Sequence, residues 1–181
     1  MTFPGERLVI KLWDSLIDRG IGSLLKPWQI RREGQAMIEV RKAEMLQMAQ
    51  VELDALAIKR GEKALLPSGE IVDIDSKPGN QLTIGFISGQ SIQGIKAEEI
   101  RKEVSVNKAI HYAEEELLRD TQSPSDKSID GDWLLRWRDG ASSVSSEELI
   151  SLWGKVLAGE SKGPGTYSLR TLDFLKHLSK D

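Results

Sequence analysis

Between Trp28 and Lys63 the chain carries no proline, and good helix formers dominate. A helix over that span, about 35 residues, would be about 50 Å long by the usual rise. That exceeds what a compact small domain accommodates, so the stretch calls for a partner helix in this chain or another. Ile38, Met45, Ala49, Leu53 and Leu56 fall on one side of it, and Met37, Val40, Met48 and Val51 widen the stripe. Arg31, Arg32, Glu39, Arg41, Lys42 and Glu52 occupy the remainder.

Upstream, Leu8, Leu12 and Ile17 recur with Val9, Trp13 and Leu16, which predicts a first helix over Gly5 to Arg19. Gly20 and Gly22 break it, and Pro27 opens the long helix at a first-turn position, where its missing N–H costs nothing. Downstream, Leu66-Pro-Ser-Gly-Glu70 ends the helical region. Ile71 to Ile74, Leu82 to Ile87 and Ser91 to Ile95 then read as short β runs, with turn chemistry at Lys77 to Asn80 and Ser88 to Gln90. Two or three such strands form too small a sheet to stand alone, so the meander leans on the helices.

Helical spacing returns from Ala97 to Arg119, with Ile100, Val104, Ile110, Ala113 and Leu117 inward and a kink or restart expected near Ser105 to Asn107. Thr121 to Ser128 is polar and reads as a mobile linker. Asp130 or Asp132 caps a helix carrying Trp133, Leu134 and Trp137, closed by Gly140. Ser145-Ser-Glu-Glu148 has capping-box spacing ahead of a helix with Leu149, Leu152, Trp153, Val156 and Leu157 buried, which Gly159 stops. Ser168 starts a last helix with Leu169, Leu172, Leu175 and Leu178 in register. The expected fold is mainly α. It has an N-terminal helical hairpin over 1–66, an antiparallel β insertion over 67–96 and a connecting helix over 97–120. A linker over 121–129 then leads to a compact helical module over 130–181.

Few groups in this chain suit bond-making. There is no cysteine, which excludes disulfides, thiolate metal sites and thiol nucleophiles. A formal charge of -3 gives no general basic field, so a nucleic-acid partner is not expected. Nothing approaches the run of about 18 apolar residues that a spanning helix needs. Asp130, Asp132 and Glu148 are accounted for as helix caps, and no metal or cofactor is indicated. Gly85, Gly89 and Gly94 lie in the predicted meander and are followed by no phosphate-loop lysine. Trp133, Trp137 and Trp153 recur beside leucines as core residues do.

Two alternatives carry named residues. Arg170 and His177 lie two turns apart on one predicted helix, a spacing that all-helical ribonucleases use for phosphate binding and proton transfer. Pairing of Arg170 with Asp173 on a solvated face is the competing account. Trp13 and Trp28 bracket an apolar stretch beside Arg31 and Arg32, which is the pattern of a helix lying on a membrane surface; core packing is the competing account there. His111, between Ile110 and Tyr112, has no evident orienting carboxylate and reads as structural.

The C-terminal wording is specific. Glu147-Glu-Leu-Ile-Ser-Leu-Trp-Gly-Lys-Val-Leu-Ala-Gly-Glu160, then Pro164-Gly-Thr-Tyr-Ser-Leu-Arg-Thr-Leu172, preceded by Asp132-Trp133 and Val106 to Ile110, resembles a bacterial family known only as a domain of unknown function. A weaker likeness reaches the Abi-alpha abortive-infection proteins, which share a Leu-Trp-x-x-Leu-Leu-Ala helix followed by a leucine-spaced one. The resemblance carries over no catalytic residues. It implies a chain that continues past Lys180-Asp181 in longer forms.

Together these readings predict a non-enzymatic, oligomerising interaction protein of the bacterial cytoplasm, placed by the second likeness in abortive infection. Its partner is a protein or a second copy, with a membrane surface as the alternative. The expected interaction residues are Met37, Val40, Met45, Met48 and Val51 on the long helix and Leu82, Ile84 and Phe86 on the meander.

Overall fold

The structure, a computed structural model, describes residues 4–21, 34–74 and 85–178. They form helices α1 (Pro4–Ile17) and α2 (Gly34–Arg60), strands β1 (Lys63–Leu65) and β2 (Ile71–Asp73), then helices α3 (Gly85–Leu118), α4 (Gly131–Ser143), α5 (Glu147–Lys162) and α6 (Leu169–Lys176). The fold is mainly α, as the periodicity requires. The chain divides into two compact units, one of residues 1–30 and 105–181, the other of residues 31–104.

In the first unit the core is built from one face of each helix. Leu8, Leu12 and Leu16 of α1 and Ile110 and Leu117 of α3 are fully buried, with Trp137, Trp153, Leu157 and Leu172 from the last three helices. Glycines set the close approaches. A Cβ at Gly140 would lie 2.1 Å from the Trp153 ring, and one at Gly154 would lie 2.7 Å from the Ala109 carbonyl oxygen. Gly140 and Gly159 therefore sit inside α4 and α5, where the sequence had them as stops; α4 runs on to Ser143 and α5 to Lys162. At Gly159 the space of a side chain is filled by the Tyr167 ring. The cap of α5 is Ser146, whose hydroxyl accepts from the Leu149 N–H, one residue later than the capping-box reading. Ile150, not Leu149 or Leu152, is the deeply buried aliphatic of its first turns.

The polar segment after α3 is held by side chains. The Lys11 ammonium donates to the carbonyl oxygens of Ser125 and Lys127. Lys162 pairs with Asp120 at 2.9 Å, and that hydrogen bond holds the Asp120 carboxyl below its usual range. Ile129 is buried in the core.

In the second unit α2 ends at Gly61, whose φ of +76° suits the left-handed turn that reverses the chain, while the Glu62 N–H donates back to the Ala57 carbonyl. Strands β1 and β2 pair antiparallel in the register Lys63↔Asp73, Ala64↔Val72, Leu65↔Ile71. Leu66 to Glu70, expected only to end the helical region, is the hairpin turn, and Gly69 takes φ +88° within it. β1 begins at Lys63, where the helical stretch is expected to end.

The runs Leu82–Ile87 and Ser91–Ile95 do not add strands. From Gly85 onward the chain is helical, and residues 75–84 lie outside the described part. The physical reason lies in the helix's contacts. Ala97 and Ile100 recur at helical spacing against Ala55, Ile58, Leu65 and Ile71. Gln93 completes the sheet edge from the helix: its amide nitrogen donates to the Leu65 carbonyl and its amide oxygen accepts the Leu65 N–H, both at 2.9 Å. That is the pairing a third strand would supply. Helix α3 also runs through Ser105–Asn107 without a restart, and both residues are buried.

Candidate functional site

The notable surface is on α2, and it follows from how helical spacing divides that helix. Met48, Ala55 and Ile58 are buried, and the last two join the small core of the second unit. Leu46, Leu53 and Leu56 are 64%, 60% and 40% exposed, and Ala49 is exposed with them. At about 100° per residue the second set is centred roughly 150° around the helix from the first. The helix thus has two apolar faces and covers one. The stripe through Ala49, Leu53 and Leu56, for which the sequence calls for a partner helix, is the uncovered one.

The expected interaction residues distribute accordingly. Val51 is exposed, Met45 is partly buried, and Met48 is buried and offers nothing to a partner. Met37 and Val40 fall on α2 and Phe86 on α3, with side chains outside the described part; Leu82 and Ile84 lie outside the described residues altogether. Leu46 was missed. Its signal was available in the 3-4-3 spacing of Leu46, Ala49, Leu53 and Leu56, the a/d pattern of a coiled-coil seam. Ile92 and Ile95 on α3, read as strand residues, are also exposed.

The charges around this unit hold the hairpin. Lys63 pairs with Asp54 at 2.7 Å, and its hydrogen bond holds the Asp54 carboxyl below the usual carboxylate range. Arg101 does the same for Glu98 one turn away. Neither pair interrupts the Leu46–Leu56 seam.

The first unit has a cleft of about 340 Å³, lined by Lys127, Asp130, Trp133, Glu160, Tyr167 and Leu169 among others. The C-terminal wording converges on it, and its polar groups serve the backbone. Asp130 caps α4 by accepting the Trp133 N–H at 2.9 Å. Trp133 Nε1 donates to the Tyr167 carbonyl at 2.8 Å. Glu160, 1% exposed, accepts the Gly165 N–H at 2.5 Å and the Tyr167 N–H at 2.9 Å. Packing and loop closure thus account for the Trp133, Glu160 and Tyr167 of the motif.

A second polar group joins α3 to the start of α5. The Tyr112 hydroxyl donates to Glu147 at 2.6 Å, and Lys108 lies 3.3 Å from the other Glu147 oxygen. Burial first, then the Glu147 contact, pushes the Tyr112 phenol up to about 12. His111, buried, does have a carboxylate nearby: Nε2 lies 3.6 Å from Glu115.

Arg170 and His177 are both exposed. The described contacts give them no shared partner. His177 is the C-cap of α6, with Nδ1 2.7 Å from the Asp173 carbonyl, and Asp173 pairs with Arg136 at 3.1 Å rather than with Arg170. Trp13 is in the core beside Leu8, Leu12 and Leu16, with its indole N–H donating to Glu114, so Trp13 itself is taken up by packing. Trp28 lies outside the described residues. Among the described residues no helix is long and apolar enough to cross a membrane.

The class these features define is a mainly helical protein with a two-stranded hairpin in one of two compact units. The family described as Protein of unknown function (DUF2806) matches residues 91–181, and the chain belongs to that family. No curated protein and no solved structure matches it.

Proposed function

We propose that this chain is an interaction protein that associates through helix α2. The observation that carries this is the second apolar face of α2, where Leu46, Leu53 and Leu56 are exposed opposite a buried face. Large apolar side chains aligned at coiled-coil spacing on a folded surface mark a place where another surface docks. Replacing Leu53 by Asp puts a charge in the centre of that face without touching the Ala55–Ile58 core. Light scattering of the native chain at millimolar concentration should give a mass above the monomer, and Leu53→Asp should restore the monomer. A native chain that stays monomeric there overturns the reading.

A role in bacterial abortive infection is part of the same proposal. Its support is the likeness of the Leu152-Trp153 helix and the leucine-spaced α6 to Abi-alpha proteins. Phage plating on cells carrying the native chain should fall relative to cells carrying Leu53→Asp. Equal plating removes the defence role and leaves the association untouched.

A further inference from the structure

We infer that residues 121–128 form a strap along the cleft beside Trp133 and that Lys11 is its latch, so that the strap opens as a local unit while the helices stay folded. Its two ends are fixed. Asp120 pairs with Lys162 at 2.9 Å, and Ile129 is buried in the core. Between them no side chain is buried, and only Pro124 and Ser125 are even partly covered. Hydrogen bonding gives the same division. The Gln122 N–H donates to Asp120 at 2.8 Å and the Lys127 N–H to the Ser125 hydroxyl at 3.2 Å, both local turns that close whether or not the strap is seated. Among the described residues, the hydrogen bonds that join 121–128 to another element come from the Lys11 ammonium, which donates to the Ser125 and Lys127 carbonyls.

The latch stands on a fixed post. Leu8 and Leu12 of the same helix are fully buried, so the ammonium is presented from a packed element to a segment with no core contact of its own. Segments with few buried contacts open at a small fraction of the cost of global unfolding. Hydrogen bonds from a charged donor are stronger than neutral ones, and here both fall on one side chain. What the strap borders is the cleft of about 340 Å³, which Lys127 and Ser128 line together with Trp133, Glu160 and Tyr167. The opposite wall is fixed: Glu160 accepts the Gly165 and Tyr167 N–H groups, and Trp133 Nε1 donates to the Tyr167 carbonyl. The cleft thus has one wall built into the fold and one held by a single lysine, and opening widens it on the Lys127–Ser128 side.

Trypsin reads this opening at the latched atom, since cleavage after Lys127 attacks a carbonyl that Lys11 holds. Cleavage of a transiently open segment tracks the population of the open form. Lys11→Met keeps the aliphatic stem and removes the donor, so cleavage after Lys127 should speed up about tenfold or more, with fragments identified by mass spectrometry. Lys155, exposed on α5, is the comparison, because cutting there needs that helix to unfold. In urea below the unfolding transition, cleavage after Lys155 should accelerate steeply, since unfolding the whole unit exposes much surface. Cleavage after Lys127 should stay nearly flat, in the native chain and in Lys11→Met alike. A Lys11→Met chain cut after Lys127 no faster than the native chain overturns the inference. A rate after Lys127 that climbs with urea as steeply as the rate after Lys155 means that the strap opens only when the unit unfolds, and overturns it as well.

Discussion

Trp137 Nε1 donates to the Trp153 carbonyl at 2.9 Å, whereas the Trp153 indole N–H, equally buried, meets no acceptor among the described residues. Two tryptophans sharing one core therefore differ in what their N–H contributes. Replacing Trp137 by Phe removes both ring volume and a satisfied hydrogen bond. Replacing Trp153 by Phe removes the volume and a donor whose burial costs about 1–3 kcal/mol. Trp137→Phe should lower unfolding free energy by more than Trp153→Phe, with a gap of about 1 kcal/mol in urea titrations. Equal losses, or a larger loss at Trp153, would show that the Trp153 N–H has a partner in solution.

Glu160 fastens the Gly163–Tyr167 turn by accepting two backbone N–H groups while nearly inaccessible to solvent. Glu160→Gln keeps the shape but can accept through one oxygen only, and its amide faces a donor at the other. Glu160→Ala leaves both N–H groups buried without partners. Unfolding free energy should fall by about 1–2 kcal/mol for Gln and about 2–4 kcal/mol for Ala. Backbone amide exchange at Gly165 and Tyr167 should accelerate in both. Protection equal to that of the native chain would mean the turn is held by its own local hydrogen bonds.

Much of this architecture was legible because helical spacing reports which side chains share a face. The α1 stripe apart from Ile17, which is half exposed, the inward Ile110, Ala113 and Leu117 of α3, and the core tryptophans all followed from it. What spacing does not report is which of two apolar faces a helix covers. On α2, Leu53 and Leu56 look as core-like as Ala55 and Ile58, and only the position of α3 and the hairpin separates them. The helical stretch from Gly85 to Ile95 was lost for another reason: its isoleucines and glycines favour strand and turn locally, and the helix that packs through Ala97 and Ile100 on Ala55, Ile58 and Leu65 extends back through them. Gln93, whose amide replaces a strand at the Leu65 edge, has no signature in sequence. Glycines at 140 and 159 read as helix stops because local chemistry cannot show that an aromatic ring fills the missing side chain's place.

The Tyr112 phenol, pushed up to about 12 by burial and its hydrogen bond to Glu147, gives a defined alkaline response. In the unfolded chain a tyrosine ionises near pH 10. Between about pH 10 and pH 12 the unfolded state loses a proton that the folded state keeps, so stability falls as pH rises through that window. Below it the contribution is fully present. The chain has two tyrosines, and phenolate absorbance should show Tyr112 ionising late. Tyr112→Phe should abolish the late step and flatten the fall in stability above pH 10. A slope unchanged by that substitution would assign the alkaline loss to other groups.

Leu53 and Ile58 separate docking from folding, since they stand on opposite faces of one helix. Ile58 is 3% exposed in the Ala55–Ala97 core and Leu53 is 60% exposed. Ile58→Ala removes buried methylenes and leaves a cavity, so unfolding free energy should drop by about 2–4 kcal/mol. Leu53→Ala removes a side chain that the single copy does not cover, and alanine is at least as good a helix former, so the change should stay within about 0.5 kcal/mol. Measured at low concentration, where copies are apart, the two variants should differ by that margin. At high concentration Leu53→Ala should lose the extra stability that association gives the native chain, because a dimer that binds only the folded state raises apparent stability by mass action. If Leu53→Ala is as damaging as Ile58→Ala in dilute solution, Leu53 belongs to the core of the single copy and the exposed face is not a docking surface.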